Sequence, residues 1–173
     1  MKKLSALFLV MALLLVCFGA IAEEPSYVGE INLGLCLGMT GDEAVEGNLF
    51  IQGVTCVVDM VNEAGGIQGY HINLVKMDSG YDPDTAINAL NLMYETDVVA
   101  VIGPHKSTQV SACKNLIEKN TVPTLVGGTN YKLPSEDNNY MYLARTNDNI
   151  QASAMGNFII GNGDTKKVGI MYS

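Results

Sequence analysis

Ser107 and Thr108 stand directly after Gly103-Pro104-His105-Lys106, at the start of a stretch with helical periodicity. A helix start leaves backbone N–H groups without intrahelical partners and carries the positive end of the aligned peptide dipoles. Hydroxyls placed there suit an anion such as a carboxylate. Thr129 follows Gly127-Gly128, and a third glycine-bearing loop is Gly38-Met39-Thr40-Gly41. Glycine lets backbone N–H and C=O groups come close to a bound molecule. The chemistry on offer is hydrogen bonding to a small polar solute. The same residues also fit a plainer role, with Ser107 capping its helix and the glycines turning the chain.

Reactive sets are harder to assemble. His105 lies near these loops, but no Ser, Cys or carboxylate stands at a spacing that completes a nucleophilic set. His71 falls inside a strand-like segment and reads as a satisfied structural residue. No G-x-G-x-x-G or G-x-x-x-x-G-K-[ST] pattern is present, so neither dinucleotides nor nucleoside triphosphates are indicated. Asp78, Asp82 and Asp84 lack the central Gly and closing Glu of a calcium loop. No Cys/His spacing suggests a metal, and no catalytic residue, cofactor or metal is expected.

The elements that must position the three loops alternate between strand and helix. Glu30 to Leu37, Ile72 to Met77, Val98 to Ile102, Thr124 to Val126 and Val168 to Tyr172 read as strands. The uniformly apolar VVAVI run reads as a parallel strand covered on both faces. Between them, Phe50, Val54, Val57, Val58 and Val61 recur at helical spacing and stop at Gly65-Gly66. Asp82-Pro83 opens a second helix, with Asp as N-cap, Pro at N1 and an inward stripe of Ala86, Ile87, Leu90 and Met93. Ser107 opens a third, with Val110, Cys113, Leu116 and Ile117 inward, and Asn149 to Ile160 a fourth. Strands separated by helices predict an α/β fold: a parallel sheet flanked by helices. In such a sheet ligands bind beyond the carboxyl ends of the strands, where strand order reverses.

The first 22 residues read as a signal peptide: Lys2-Lys3, an apolar run from Leu7 to Val16, and small residues at Ala20 and Ala22. The apolar run is short of the roughly 20 residues a bilayer span needs. Val16 makes a poor lipobox for Cys17, so soluble export to a periplasmic or extracellular location is expected, with no membrane insertion after cleavage. Loss of Lys2 and Lys3 moves the formal net charge from −8 to −10. That surface repels nucleic acid, and no Lys/Arg cluster overrides it. Cys36, Cys56 and Cys113 remain, an odd number, so at least one is free or pairs between chains. Cys36 in a strand and Cys56 on a helix face read as small core residues rather than as a disulfide framework.

The ordered segments INLGLCLGMTGDEA, VVDMVNEAGGIQG, LVKMDSGYDPDTA, VVAVIGPHKST, TVPTLVGGTN and YLARTND resemble the leucine/isoleucine/valine-type periplasmic-binding proteins of ABC transporters, from about residue 30 to 173. The resemblance implies a type 1 periplasmic-binding fold, in which two α/β lobes close on a ligand by a hinge. It implies a non-enzymatic solute-binding protein for an amino acid or similar small molecule, with a transporter permease as partner. A ligand-sensing domain of a receptor or regulator has the same fold and is the alternative. The ligand contacts it implies fall on Ser107, with Thr108 beside it, the backbone of Gly127, Thr129 and, from the loop after the first strand, Glu46. In some relatives a disulfide joins the loops that here read DSGYDP and GPHKS, and neither contains Cys. Many relatives carry a large apolar or aromatic residue where Glu46 stands, so the acidic side chain argues against a purely aliphatic ligand. The expected division is a signal peptide over residues 1–22, an N-terminal ligand-binding lobe over 23–147, and the beginning of a second lobe over 148–173. The chain stops at Ser173 directly after a strand, so the second lobe is expected only as its start.

Overall fold

The computed structural model describes residues 25–133, 138–163 and 167–169. The expected signal segment lies outside them, as does the expected strand at Val168–Tyr172 apart from Val168 and Gly169, which are irregular. Five strands form one parallel sheet: β1 (Gly29–Leu37), β2 (Tyr70–Asp78), β3 (Val98–Ile102), β4 (Thr124–Val126) and β5 (Met141–Leu143). Their order is β2-β1-β3-β4-β5. The helices are α1 (Ala44–Glu63), α2 (Pro83–Tyr94), α3 (Ser107–Asn120) and α4 (Asp148–Gly161), with a short 3-10 turn at Gly41–Glu43 ahead of α1. The chain steps outward from β1 to β2, then returns to the far side of β1 and continues outward. With right-handed crossovers this reversal sends α1 to one face of the sheet and α2 and α3 to the other.

The main core lies beneath α2 and α3, where Cys36, Leu90, Met93, Val101, Val110, Cys113, Ile117 and Val126 are buried together. A smaller core joins Leu35 and Leu37 to Ile51 of α1. Local signals act as expected at α2: the Asp82 carboxylate accepts from the Thr85 N–H at 2.9 Å, with Pro83 at N1. Gly65 and Gly66 take positive φ (100° and 75°), and the Gly66 N–H returns to the Val61 carbonyl at 2.9 Å, closing α1.

Two expectations need correction, and one strand was not expected. First, the buried stripe of α1 is Gly47, Ile51, Val58 and Asn62, while Val57 is 59 % exposed and Cys56 is also exposed. The helix lies mainly over β1 and β2, so a narrow face is covered, and its valine-rich flank stays outside. By length and composition Gly41–Glu63 could cross a membrane; here Ile51 packs on Leu35 and Leu37 instead. Second, β3 is not covered on both faces. Val99 is 54 % exposed at an irregularity in the pairing with β1. Leu125 and Tyr142, paired with Ile102 and with each other on the α1 side, are exposed too. On that side α1 reaches the edge of β3 through Phe50 and Val54 but leaves most of β3 to β5 open. Third, β5 is a strand that periodicity does not announce, because three residues are too few for a pattern.

The thiols divide accordingly. Burial pushes Cys36 up to about 12 and Cys113 up to about 11. Because the thiolate is the reactive form, both should be inert while the chain is folded. In protein lacking residues 1–22, a colorimetric thiol reagent is expected to titrate one cysteine, Cys56, within minutes and all three only after denaturation. Rapid reaction of two or three in the native state would place Cys36 or Cys113 outside the core.

Candidate functional site

The reversal of strand order falls between β1 and β3, and the loops that leave their carboxyl ends carry Gly38–Glu43 and Gly103–Lys106. Glu43 and His105 meet there, His105 Nε2 donating to Glu43 Oε2 at 2.9 Å, with both side chains buried. The Lys106 ammonium takes the other Glu43 oxygen. That hydrogen bond is the largest influence holding the Glu43 carboxyl below the usual glutamate range; burial opposes it, and the His105 hydrogen bond adds to it. Lys106 also sits over the Tyr81 ring, 4.1 Å from its centroid. The two loops that the resemblance joins by a disulfide are thus joined here by a cation–π contact.

Asp78, the last residue of β2, organises the same end of the sheet. Its carboxylate accepts from Met39 N–H at 2.7 Å, Thr40 Oγ1 at 2.5 Å and Gly80 N–H at 2.8 Å. Burial works to raise its pKa, but these hydrogen bonds outweigh it and hold the carboxyl below the ordinary aspartate range. Gln109, fully buried in the first turn of α3, donates to the Ser79 and Gly80 carbonyls at 3.1 Å each. Loops after β1, β2 and β3 are therefore knitted together by polar contacts, those made by Gln109 and the Glu43–His105 pair being buried.

Ser107 does not cap its own helix. The N-cap of α3 is Lys106, and it makes no side-chain cap hydrogen bond. The Ser107 hydroxyl instead accepts from the Thr129 N–H at 3.1 Å and the Asn130 N–H at 3.3 Å, twenty-two and twenty-three residues away. Two acceptances fill both lone pairs of a hydroxyl oxygen, so its hydrogen remains the only free valence. Among the described residues it has no acceptor. Ser107 and Thr108 line a surface depression of about 480 Å³ together with Tyr81, Asp82, Pro83 and Lys106.

Of the residues singled out by sequence, Ser107, Thr108 and Thr129 come together. Gly127 lies close by but is engaged: its N–H donates to the Pro104 carbonyl at 3.0 Å, and its carbonyl accepts from Arg145 Nε at 2.9 Å and Nη2 at 2.5 Å. It borders a separate, mostly apolar hollow of about 80 Å³ with Leu37, Phe50, Ile102 and Leu125. Glu46 stands apart from the hydroxyls, 56 % exposed, with Oε2 3.9 Å from His105 Nε2. Glu43, Glu46 and His105 place ligating atoms within 4.8 Å of one another and could hold a metal ion, although Lys106 already supplies a cation to Glu43. His71, expected to be satisfied, is half so: Nε2 meets Asn62 Nδ2 at 3.2 Å and the ring packs edge-on to Tyr27, but among the described residues the buried Nδ1 has no partner.

Sequence reasoning missed Glu43, Asp78, Tyr81 and Lys106 as site residues. Each is ordinary in its local context, and only the strand order brings them together.

Comparison with known proteins agrees with this architecture. A family model described as periplasmic binding protein matches residues 30–173. A Pseudomonas aeruginosa "Amino acid binding protein" is 26 % identical over 147 residues, covering 84 % of this chain but 39 % of the relative. The crystal structure of the branched-chain amino acid transporter substrate-binding protein LivJ from Streptococcus pneumoniae, in complex with isoleucine, superposes with a TM-score of 0.69 at 27 % identity, covering 77 % of this chain and 38 % of that one. A fatty acid ABC transporter substrate-binding protein from Thermomonospora curvata gives 0.67 at 25 %, covering 80 % and 35 %. The chain spans about two-fifths of the length of these relatives. With a five-stranded parallel sheet of the type 1 arrangement and a family match over most of its residues, the chain belongs to the periplasmic binding protein family.

Proposed function

We propose that this chain supplies a ligand-binding lobe of an exported solute-binding protein that delivers an amino acid or similar small molecule to an ABC transporter permease. The observation that carries the reading is the Ser107 hydroxyl. Its two lone pairs are filled by Thr129 and Asn130 N–H groups, so its hydrogen is left to donate, beside an uncapped helix start. A carboxylate accepts from such a hydroxyl and gains from the positive end of α3. Thr108 and the Thr129 hydroxyl complete the polar contacts. Gly127 contributes its carbonyl to the ligand's ammonium, in exchange for the Arg145 guanidinium that fills the same place here. Glu46 reaches the solute's far end.

Residues 23–147 form the lobe in this reading, and 148–173 open a second one. Two observations support the division: no residue of α4 is buried, and Met155, Phe158 and Ile160 are exposed along it. The function is binding without catalysis, in the periplasm or outside the cell after removal of residues 1–22.

Calorimetric titration with isoleucine, leucine, valine, threonine and alanine tests the site. A hydrogen bond to a charged group contributes about 1.5–3 kcal/mol. Ser107→Ala and Thr129→Val are therefore each expected to weaken binding roughly tenfold or more. Thermal unfolding serves as the control for Ser107→Ala, since that hydroxyl also satisfies two backbone groups. Unchanged affinity in both variants returns these residues to a purely local role.

A further inference from the structure

We propose that Lys106 is a positioning residue: clasped between the Glu43 carboxylate and the face of Tyr81, it fixes the Ser107 hydroxyl for the ligand. This rests on the reading of the site given above. Ser107 is pinned from one side by the backbone of Thr129 and Asn130. On the other side its position depends on the preceding residue, Lys106, which is extended (φ −90°, ψ 138°) and anchors its side chain across two other loops.

The anchor points differ in kind. Glu43 is rigid, because it is buried and its second oxygen is held by His105. Tyr81 is more than half exposed and makes no other side-chain contact of a polar or aromatic kind among the described residues. An ammonium 4.1 Å from a ring centroid lies well inside the range of about 6 Å over which the ring quadrupole attracts a cation. Lys106 therefore draws a loosely held ring against a fixed carboxylate. The lysine stem and the ring then form one wall of the depression that Ser107 and Thr108 line. The loops after β1, β2 and β3 meet at a single ammonium, next to the residue whose hydroxyl is offered to solute.

A direct ligand contact by Lys106 is the rival explanation, and a purely structural role is the other. Four variants of the full chain separate them: Lys106→Met, Lys106→Arg, Tyr81→Leu and Tyr81→Phe. Each is titrated with L-isoleucine, L-leucine, L-valine, L-threonine and L-alanine and compared by amide hydrogen exchange over residues 79–82 and 104–110. Lys106→Met and Tyr81→Leu are expected to weaken binding about tenfold and to speed exchange in both segments. Lys106→Arg keeps the cation and Tyr81→Phe keeps the ring, so both are expected to stay within about twofold of the parent.

A loss confined to Lys106→Met, with Tyr81→Leu binding normally, overturns the proposal in favour of direct contact. Normal affinity in both Lys106→Met and Tyr81→Leu overturns it in favour of a structural role. Should Lys106→Met fail to fold, Tyr81→Leu, altered at an exposed ring, decides alone. If the parent binds none of the five amino acids, the reading of the site fails. The exchange comparison then still tests the clasp, and unchanged exchange in Tyr81→Leu overturns it.

Discussion

Gly47→Ala is expected to destabilise the protein by about 3 kcal/mol or more, and Gly53→Ala, six residues along the same helix, to stabilise it by about 0.5–1 kcal/mol. Helix propensity alone favours alanine at both, because glycine surrenders more backbone entropy on folding. Gly53 is exposed, with nothing within 4 Å of where a Cβ would stand, so the gain is realised. At Gly47 the added carbon would lie 1.7 Å from the Gly38 carbonyl oxygen and 2.7 Å from its carbon. Both are backbone atoms, so no rotamer change relieves the overlap. Either α1 lifts from the loop or the loop moves, at the upper end of what overpacking costs. Gly38 is itself packed against Glu43, where a Cβ would stand 2.5 Å from Glu43 Cβ. The displacement therefore reaches the carboxylate that holds His105 and Lys106. Denaturant unfolding of the two variants reads the signs directly. A Gly47→Ala protein as stable as its parent would mean that α1 does not press on the Gly38 backbone.

Asp78→Ala is expected to cost about 3 kcal/mol, because hydrogen bonds to a charged group are worth about 1.5–3 kcal/mol each and the Met39 and Gly80 N–H groups lose their acceptor. Asp78→Asn retains part of the geometry and should cost less. The pH dependence follows from the lowered pKa of Asp78 in the folded chain. A carboxyl with a depressed folded value contributes stability that is fully present above its unfolded value, about 3.9. The contribution is lost as pH falls below that value and through the folded one. The stability gap between parent and Asp78→Asn is therefore expected to be constant from about pH 7 to 5 and to narrow below about pH 4. Urea titrations at a series of pH values measure it. A gap that widens in acid would reverse the sign and remove Asp78 from its role as a charged acceptor.

The alternation of strands and helices was legible because each boundary has a local cause. Asp82-Pro83 caps α2 through its own side chain, and Gly65-Gly66 closes α1 through its own dihedrals. The glycine-rich loops at the carboxyl ends were legible for the same reason. Which face of α1 is buried was not, since valines lie on adjoining stripes and only the extent of the sheet beneath decides between them. Asn62, buried in that helix, is held by its pairing with both backbone groups of Ile72, a partner ten residues away that periodicity cannot name. The Glu43–His105 pair spans 62 residues. No spacing rule reaches that far; strand order does, by placing β3 beside β1 rather than beside β2. Gly127 illustrates the converse. Its loop is where the sequence points, but only the fold reveals that Arg145 already holds its carbonyl.

The saturation of the Ser107 oxygen has a consequence for which solutes can be told apart. With Thr129 and Asn130 filling its lone pairs, the hydroxyl speaks in one direction only. A molecule that presents an amine at this point finds no acceptor and faces the positive end of α3, whereas one that presents a carboxylate finds a donor already aimed. Under the proposed function the loop would work as a polarity filter, sorting an amino acid from the amine left by its decarboxylation and admitting it in one orientation, by two backbone hydrogens that never touch it.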